Sequence, residues 1–419
     1  MIKQYLDKIK KDNPKINAIL QVNPNPIEGT GKLSGKVFGI KACINVKGLN
    51  ASCASRVLED YTSPYDAEVV SRIKKEGGAI IGMCNMDEFA SGSSGETSAF
   101  GPTKNPGDNS LIPGGSSSGS AAAVGAGFCD MALGTDTGGS IRNPASFCGL
   151  VGLKPSYGSV SRYGLIDLSM SLDQIAPIAK TVSDVALLFS VIQGKDEKDS
   201  ISVENKKINF KEIGKIPKGI TVGLLDLEGL NVDKKILEVV EGKIKEKADK
   251  NGWKIKKIKI NNLDLAVSIY YPLVYVEFFS GTRKLDGRRY GGKIEDLAGP
   301  EVLRRILGGS EITKAEHLGR YYNSALKVKK MLDEEFSKKF KEVDCIVSPT
   351  VPRLPWKIGE KISVEEAYAA DTLTCPSNLV GNCAISIPAG KIDGVPVGMQ
   401  IICDKFEEQK LLQIAKSVE

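Results

Sequence analysis

Two glycine-rich turns that lie close together in the sequence constrain the fold of this chain more than any other feature. Residues 113–149 read PGGSSSGSAAAVGAGFCDMALGTDTGGSIRNPASFCG and contain Gly114-Gly115-Ser116 and Gly138-Gly139-Ser140. Glycine adopts backbone conformations that other residues avoid. Each turn ends on a hydroxyl and leads into an apolar segment of small residues. A helix of small residues packs closely against its neighbours, so this stretch predicts a tightly packed site that presents two serines.

The rest of the sequence alternates apolar runs with amphipathic segments, which predicts an α/β fold. We expect strands at residues 36–46, 79–86, 130–136, 220–226, 343–350, 383–390 and 395–403. We expect helices at 2–12, 65–78, 119–128, 181–194 and 234–250, an exposed lysine-rich excursion at 195–219 and a mostly helical region at 265–340. Asp393-Gly394 is a hairpin turn signal between the last two strands. Strands near both ends of the chain indicate one large sheet.

Composition and charge exclude several classes of protein. The chain has 419 residues and a net charge of +6, with its lysines mixed among acidic residues. This pattern indicates a soluble surface and does not indicate a direct reader of nucleic acid. No segment approaches the roughly 18 uninterrupted apolar residues of a membrane span. The nine cysteines form no C-x-x-C pair, so zinc-site spacing is absent, and their odd number without an export signal predicts reduced thiols and a cytoplasmic protein.

The choice of a catalytic base is narrow because the chain has a single histidine, His317. His317 lies in a charged helical stretch, and we interpret it as a surface or packing residue. Lysine is the main remaining base for a serine nucleophile, provided that its amine is neutral. Lys41 lies in FGIKACI, inside a predicted buried strand, where burial would lower its pKa. A lysine at a strand edge that extends into solvent is the alternative, and the sequence leaves both open.

The second glycine turn places Ser140 between a predicted strand and a short helix. Glycines let consecutive backbone N–H groups point at one spot, so such a turn is able to hold a phosphate or an oxyanion. A purely structural turn and an anion cradle without chemistry are the alternatives. No lysine follows either turn in the Walker pattern, which excludes a nucleotide P-loop.

Lys41, the turn at residues 114–117 and the run GTDTGGSIRNPASFCG together closely resemble the amidase signature enzymes, and the resemblance extends over nearly the whole chain. Ser116 and Ser140 are 24 residues apart, as are the two family serines. Within that family, the chain resembles the glutaminase (A) subunits of the glutamyl-tRNA(Gln) amidotransferases. The segments that carry this closer resemblance are 85–106, 152–166, 301–309 and 377–390.

The resemblance implies a fold and a division of the chain. The fold is a large mixed central β-sheet between α-helical layers, in one amidase domain over residues 1–419. Within it, the resemblance and the element pattern together assign an N-terminal helix to 1–20, a catalytic core to 30–200, a mostly helical inserted region to 225–340 and the C-terminal part of the sheet to 341–419.

The resemblance also implies a role for particular residues. Ser140 matches the nucleophile, Ser116 the cis-serine that passes the proton, and Lys41 the neutral base of a Ser-cis-Ser-Lys triad. In the same way, Arg305 matches an arginine that binds the substrate carboxylate, and Asp371 matches an aspartate that binds its amino group. No metal is implied. The oxyanion hole would be formed by the backbone N–H groups of Thr137, Gly138, Gly139 and Ser140.

The implied function is hydrolysis of glutamine, with ammonia passed to a partner that converts Glu-tRNA(Gln) to Gln-tRNA(Gln). The implied partners are the B and C subunits of the amidotransferase, in a cytoplasmic heterotrimer. ATP and magnesium would be used by the partner, so that this chain itself carries no cofactor. The alternatives are a stand-alone amidase for a small aliphatic or aryl amide, and a binding protein with an inactive site. Ala42 and Ser118 depart from the common family pattern, and Ala42 leaves the hydrogen-bond partners of Lys41 open.

Overall fold

The structure is a computed structural model that describes residues 2–289 and 291–419, so Met1 and Tyr290 lie outside the described residues. Within these ranges the helices are α1 (Ile2–Ile16), α2 (Glu68–Lys75), α3 (Ser118–Ala126), α4 (Arg142–Phe147), α5 (Val182–Ile192), α6 (Lys234–Asn251), α7 (Ala266–Thr282), α8 (Ile294–Leu297), α9 (Pro300–Ile312), α10 (Arg320–Lys339), α11 (Val364–Ala369), α12 (Cys375–Val380) and α13 (Glu408–Val418). The strands are β1 (Ile19–Val22), β2 (Val37–Lys41), β3 (Ala79–Cys84), β4 (Met131–Asp136), β5 (Val151–Lys154), β6 (Gln174–Ala179), β7 (Thr221–Leu225), β8 (Lys254–Ile258), β9 (Cys345–Pro349), β10 (Cys383–Ile392) and β11 (Val395–Cys403).

All eleven of these strands belong to one mixed sheet, in the order β1-β3-β2-β4-β6-β5-β10-β11-β9-β7-β8. Strand β2 runs parallel to both β3 and β4, and β7 runs parallel to β8 and β9. The remaining neighbours are antiparallel. This arrangement confirms the predicted α/β fold with a large mixed sheet.

Helices cover both faces of the sheet, as the side chains of its central strands show. Val37 of β2 packs with residues of α1 and α3 in one apolar cluster. The next residue, Phe38, packs in a second cluster with residues of α2 and α5. Because successive side chains of a strand point to opposite faces, the two clusters lie on opposite sides of the sheet. A strand buried on both faces has a continuous apolar sequence. For this reason β2, β3 and β4 could be predicted from the sequence.

Capping and turn residues explain the ends of several predicted elements. Thr181 caps α5, because its hydroxyl accepts a hydrogen bond from the N–H of Asp184. The hairpin between β10 and β11 turns at Asp393 and Gly394, whose φ angles of 50° and 85° are those of a two-residue hairpin turn. The expected helix at 2–12 extends to Ile16, and the one at 234–250 is α6 almost residue for residue.

Four strands were not predicted: β1, β5, β6 and β8. Strand β8 has the sequence KIKKI, and its first four residues are exposed, because it is the edge strand of the sheet. It lies inside the region 225–340, which therefore contributes a strand as well as helices. The strand expected at 36–46 ends at Lys41. This early end matters for the site, because it leaves Lys41 at the carboxyl end of β2.

The stretch Leu263–Thr282, which contains α7, is long and apolar enough to cross a membrane, judged by length and composition alone. The core helices of globular proteins share these two properties. Helix α7 packs against α9, α10 and α12, and its Tyr270 and Tyr271 are buried. We therefore interpret α7 as a core helix of the layer that carries Arg305.

Candidate active site

Lys41 is fully buried at the end of β2, among hydroxyl groups. Its Nζ atom lies 2.8 Å from Ser116 Oγ, 3.0 Å from Ser117 Oγ and 2.7 Å from Thr135 Oγ1. Burial lowers the pKa of Lys41 from its usual value, and neighbouring ionisable groups oppose this only in part. The alternative of a strand-edge lysine that reaches solvent is therefore wrong. Because Ala42 follows Lys41, the sequence left the hydrogen-bond partners of the amine open. The structure shows that they are these three hydroxyl groups.

The two glycine turns meet at the amine end of Lys41. The peptide bond between Gly115 and Ser116 is cis. The N–H of Ser117 donates to the carbonyl oxygen of Ser140 at 3.2 Å, which ties the first turn to the second. Ser140 is partly exposed, and its hydroxyl forms no hydrogen bond within the part of the chain that the structure describes. The fold thus brings Lys41, Ser116 and Ser140 together.

The backbone of the second turn has free hydrogen-bond donors. The N–H groups of residues 137–140 form no hydrogen bond to any described residue, although Thr137, Gly138 and Gly139 are buried. Buried backbone N–H groups are nearly always paired in folded proteins. Four unpaired donors in a row beside the Ser140 hydroxyl are therefore available to an oxygen of a bound molecule.

Neighbouring side chains leave no room for larger residues in this turn. A Cβ atom on Gly138 would lie 2.5 Å from the hydroxyl oxygen of Tyr270. On Gly139, whose φ is +143°, it would lie 2.3 Å from Thr374 Oγ1. The Thr374 hydroxyl itself donates to the carbonyl oxygen of Gly138 at 2.6 Å. The glycines thus allow the turn to sit directly against α7 and the residues before α12.

Buried charged residues contact or flank the second glycine turn. Thr137 Oγ1 donates to Asp173 Oδ1 at 2.6 Å, and burial raises the pKa of Asp173 to about 7. Asp136 and Arg142 flank the turn and form an ion pair at 2.9 Å, with neither side chain exposed. Although burial opposes it, the Arg142 guanidinium holds the pKa of Asp136 at about 2. Arg142 also donates to Thr374, Ser377, Asn378 and Gln400.

Arg305 and Asp371 both contact one aromatic residue, Tyr271. The Tyr271 hydroxyl donates to Asp371 Oδ2 at 2.9 Å, and the Arg305 guanidinium carbon lies 5.6 Å from the centre of the Tyr271 ring. Burial raises the pKa of Asp371 to about 7, against the effects of Tyr271 and Arg305. The carbonyl oxygen of Asp371 accepts a hydrogen bond from Thr374 Oγ1 at 3.2 Å, so Asp371 is joined through Thr374 to Gly138.

Arg305 has a partner that the sequence analysis did not predict. Its Nε donates to Glu301 Oε1 at 2.9 Å, one helical turn earlier in α9. Burial disfavours the charge of Arg305, but Glu301 and the neighbouring tyrosines raise its pKa above the usual value. Its Nη1 is buried and has no hydrogen-bond partner within residues 2–289 and 291–419. Arg305, Glu301, Tyr271 and Tyr368 line a pocket of about 640 Å³. Ser116, Ser140 and Asp371 do not line it, so the pocket reaches the arginine end of the site and not the serine end.

His317 lies away from the site, which confirms its interpretation as a surface or packing residue. It sits in a turn between α9 and α10, and its Nε2 is 3.4 Å from Glu311 Oε1. Glu311, Glu316 and His317 place three potential metal ligands within 4.8 Å of one another. Lys314 pairs with the same Glu311 at 2.6 Å, and both glutamates are exposed. All nine cysteines are free.

The residues that the sequence analysis missed fall into two groups. Asp136 precedes the buried glycine turn and Arg142 follows it. Two opposite charges in such an apolar stretch could have been used to predict a buried ion pair. Glu301 stands four residues before Arg305, which is the spacing of neighbours on a helix. No local pattern indicates that Tyr271 and Asp173 contact the site, because each reaches it through tertiary packing.

Comparison with known proteins places this geometry in a family. The amidase family profile matches residues 1–412. The chain is 51% identical to the A subunit of glutamyl-tRNA(Gln) amidotransferase from Methanocaldococcus jannaschii, in an alignment that covers 98% of this chain and 96% of the relative. The solved structure of the A subunit of glutamyl-tRNA(Gln) amidotransferase from Thermotoga maritima matches with a TM-score of 0.90 at 40% identity, covering 100% of this chain and 90% of that one.

A structure of peptide amidase from Stenotrophomonas maltophilia also matches, with a TM-score of 0.84 at 26% identity, and covers 100% of this chain and 92% of that one. The chain therefore belongs to the amidase family, as its glycine-turn motifs indicated. The family includes proteins with different substrates, so the substrate must be argued from the arginine end of the site.

Proposed function

We propose that this protein is the glutaminase subunit of a glutamyl-tRNA(Gln) amidotransferase, which hydrolyses glutamine and supplies ammonia for the conversion of Glu-tRNA(Gln) to Gln-tRNA(Gln). The single observation that carries the proposal is that two buried charged residues, Arg305 and Asp371, both contact Tyr271 in a site of the amidase family. The names of its close relatives support the assignment to this enzyme.

The contacts around Lys41 Nζ fit a neutral amine, which has two N–H donors and one lone pair. The Ser117 hydroxyl already donates to the carbonyl oxygen of Thr135 at 3.0 Å, so Ser117 accepts from Nζ. If Thr135 Oγ1 accepts as well, the lone pair is left for the hydroxyl proton of Ser116. Lys41 then serves as the base, because burial lowers its pKa and so favours the neutral amine.

The reaction begins when Ser140 Oγ attacks the side-chain amide carbon of glutamine. Its proton passes to Ser116, and the proton of Ser116 passes to Lys41. The N–H groups of residues 137–140 stabilise the negative oxygen of the tetrahedral intermediate, and the loss of one such donor typically costs about 2.7–4 kcal/mol of the barrier. The carbon–nitrogen bond then breaks, the relay returns a proton to the leaving ammonia, and water releases glutamate from Ser140.

Free glutamine brings an α-carboxylate and an α-ammonium into this site. Arg305 lines the pocket, its Nη1 has no hydrogen-bond partner among the described residues, and its guanidinium binds the carboxylate. Asp371 binds the ammonium through its carboxylate form. Both residues contact Tyr271, so the groups that bind the two charges of one amino acid are held next to the same side chain. A small uncharged amide would use neither residue.

The remaining steps belong to the B and C subunits of the assembly. The B subunit would use ATP and magnesium to activate Glu-tRNA(Gln), and the ammonia made at Ser140 would react there. This chain lacks the Walker lysine after its glycine turns, which is consistent with an ATP site elsewhere in the assembly.

The test is purification from the native host followed by assays with three nitrogen sources: glutamine, ammonium and small amides. We expect co-purification of two further subunits, release of glutamate from glutamine, and ATP-dependent formation of Gln-tRNA(Gln) from either glutamine or ammonium. A homo-oligomer that hydrolyses small aliphatic or aryl amides but not glutamine would instead identify a stand-alone amidase. A folded protein without any amidase activity would identify a binding protein with an inactive site.

A further inference from the structure

Glu301 is a heavily engaged carboxylate at the arginine end of the site. Its Oε1 accepts from Arg305 Nε and from the Tyr368 hydroxyl, each at 2.9 Å. Its Oε2 accepts from Arg304 Nη1. The Glu301 side chain is 14% exposed and lines the pocket. One carboxylate therefore holds two guanidinium groups and a phenol.

These contacts determine which part of Arg305 faces a ligand. A guanidinium is planar and rigid, so a bond at Nε fixes the direction of its other nitrogens. With Nε bound to Glu301, Nη1 stays buried and finds no partner in the described part of the chain. Glu301 lies one turn before Arg305 in α9, so the Arg305 side chain has this orientation without any bound molecule.

Glu301 also contributes to the charge of the pocket. Arg304 and Arg305 are the basic residues of the lining, and Glu301 is the acidic residue that pairs with both of them. Three further glutamates line the same pocket: Glu88, Glu96 and Glu360. Removal of Glu301 makes the pocket more positive by one charge and frees both arginines, which favours a ligand with an additional carboxylate such as the product glutamate.

We propose that Glu301 is a positioning and specificity residue of the glutamine pocket, which orients Arg305 toward the α-carboxylate and prevents the pocket from favouring anionic glutamate. This inference rests on the proposed function. It assigns no role to Glu301 in bond cleavage, so its effect is on binding of the amino-acid end of the substrate.

The experiment compares two substrates, glutamine and 4-aminobutanamide, which is glutamine without its α-carboxylate. For Glu301→Ala we expect the Michaelis constant for glutamine to rise about tenfold or more, while kcat stays within about twofold, because the lost interaction is with the bound ground state as much as with the transition state. The kcat/KM for 4-aminobutanamide should stay within about twofold, because this substrate has no carboxylate for Arg305.

A second variant, Glu301→Gln, retains the shape and an acceptor oxygen but removes the charge. We expect a smaller rise in the Michaelis constant for glutamine and tighter inhibition by glutamate, by about threefold or more, since the pocket gains net positive charge. Glu311→Gln is the matched control, because Glu311 lies on the same helix, is exposed and pairs with Lys314. It should change none of these constants.

The outcomes separate the possible failures. Equal losses with both substrates in Glu301→Ala and in Glu301→Gln would show that Glu301 only supports the fold, and unchanged constants in both would show that it has no role. Either result overturns the inference and leaves the proposed function standing. An unmodified protein that hydrolyses 4-aminobutanamide as well as glutamine, or neither of them, would overturn the proposed function, and this inference with it.

Discussion

Lys41 and Arg305 are both buried basic side chains, and their surroundings shift their pKa values in opposite directions. Lys41 is surrounded by hydroxyl groups, and burial lowers the pKa of its amine. Arg305 is paired with the carboxylate of Glu301, and its pKa is raised above the usual value. Burial alone therefore does not decide whether a basic group is charged; the nearest partner decides it.

This difference divides the site into two regions with separate tasks. Under the proposed function, the hydroxyl region, with Lys41, Ser116 and Ser140, would carry out a reaction that any amide would undergo. The charged region, with Arg305 and Asp371, would select a zwitterionic amino acid. Substitutions in the first region should therefore change turnover, and those in the second should change the affinity for glutamine.

The largest expected effect comes from Ser140→Ala, which removes the attacking atom. Glutamine hydrolysis should fall by about 10⁴–10⁶-fold, and Ser116→Ala and Lys41→Ala should each cause losses of several orders of magnitude that do not add in combination, because the three groups act as a unit. The measurement is glutamate release under saturating glutamine, with circular dichroism and thermal unfolding as controls for the fold. Substantial activity in Lys41→Ala would remove lysine from the mechanism.

The next largest effect should come from Arg305→Ala and Asp371→Asn, which act on the charged region. Removal of one partner from a desolvated charge pair costs about 2–5 kcal/mol, which corresponds to a loss of roughly 30- to 5,000-fold in kcat/KM. We expect the loss to appear mainly in the Michaelis constant for glutamine.

The control uses the complete amidotransferase with ammonium as the nitrogen donor. This route bypasses the glutamine pocket, so Gln-tRNA(Gln) formation from ammonium should be unaffected by Arg305→Ala. If the variant used glutamine normally, the assignment of the pocket would be wrong and the small-amide alternative would gain support.

The two regions also differ in how far the sequence predicts them. Lys41, Ser116 and Ser140 lie at the ends of strands or turns whose glycines and apolar flanks are visible in short runs of sequence. Their proximity follows from β2 and β4 being adjacent and parallel. The fold class and the core strands were predictable for the same reason, since strands buried on both faces form continuous apolar runs.

The rest depends on packing between distant elements, which leaves no local pattern. Tyr271 lies in α7 and Asp371 in the turn between α11 and α12, and their hydrogen bond depends on the packing of α7 against α12. Edge strand β8 is rich in exposed lysines, a composition that protects sheet edges from pairing and that also conceals a strand. Arg305 was identified through family resemblance, and its contact with Glu301 emerged only from the structure.

A smaller and continuous effect should come from pH, through the charged region. Burial raises the pKa of Asp371 to about 7, so in the free enzyme the carboxylate that binds the ammonium is lost as the pH falls through about 7. The kcat/KM for glutamine should fall by up to about tenfold per pH unit below that point, since it reports groups of the free enzyme.

Protonation of Lys41 would also reduce activity at low pH, and the two causes are separated by a second substrate. Glutaramic acid is glutamine without its α-amino group and makes no use of Asp371. The ratio of kcat/KM for glutamine to that for glutaramic acid should therefore decrease as the pH is lowered from about 8 to about 5.5, across the pH at which Asp371 is protonated. A ratio that stays constant over this range would show that Asp371 does not bind the ammonium.

The smallest effect should come from His317→Gln, which removes the only imidazole of the chain. A Ser-His-Asp mechanism would lose most of its activity, whereas a relay through Ser116 and Lys41 needs no imidazole. His317 contacts Glu311 and stacks edge-on against Tyr321, with ring centres 5.1 Å apart. Since neither contact involves Lys41, Ser116 or Ser140, turnover and the Michaelis constant for glutamine should change by less than about twofold. A variant that unfolds at the same temperature as the unmodified protein yet hydrolyses no glutamine would mean that the base is His317, and that the hydroxyl groups around Lys41 serve only the fold.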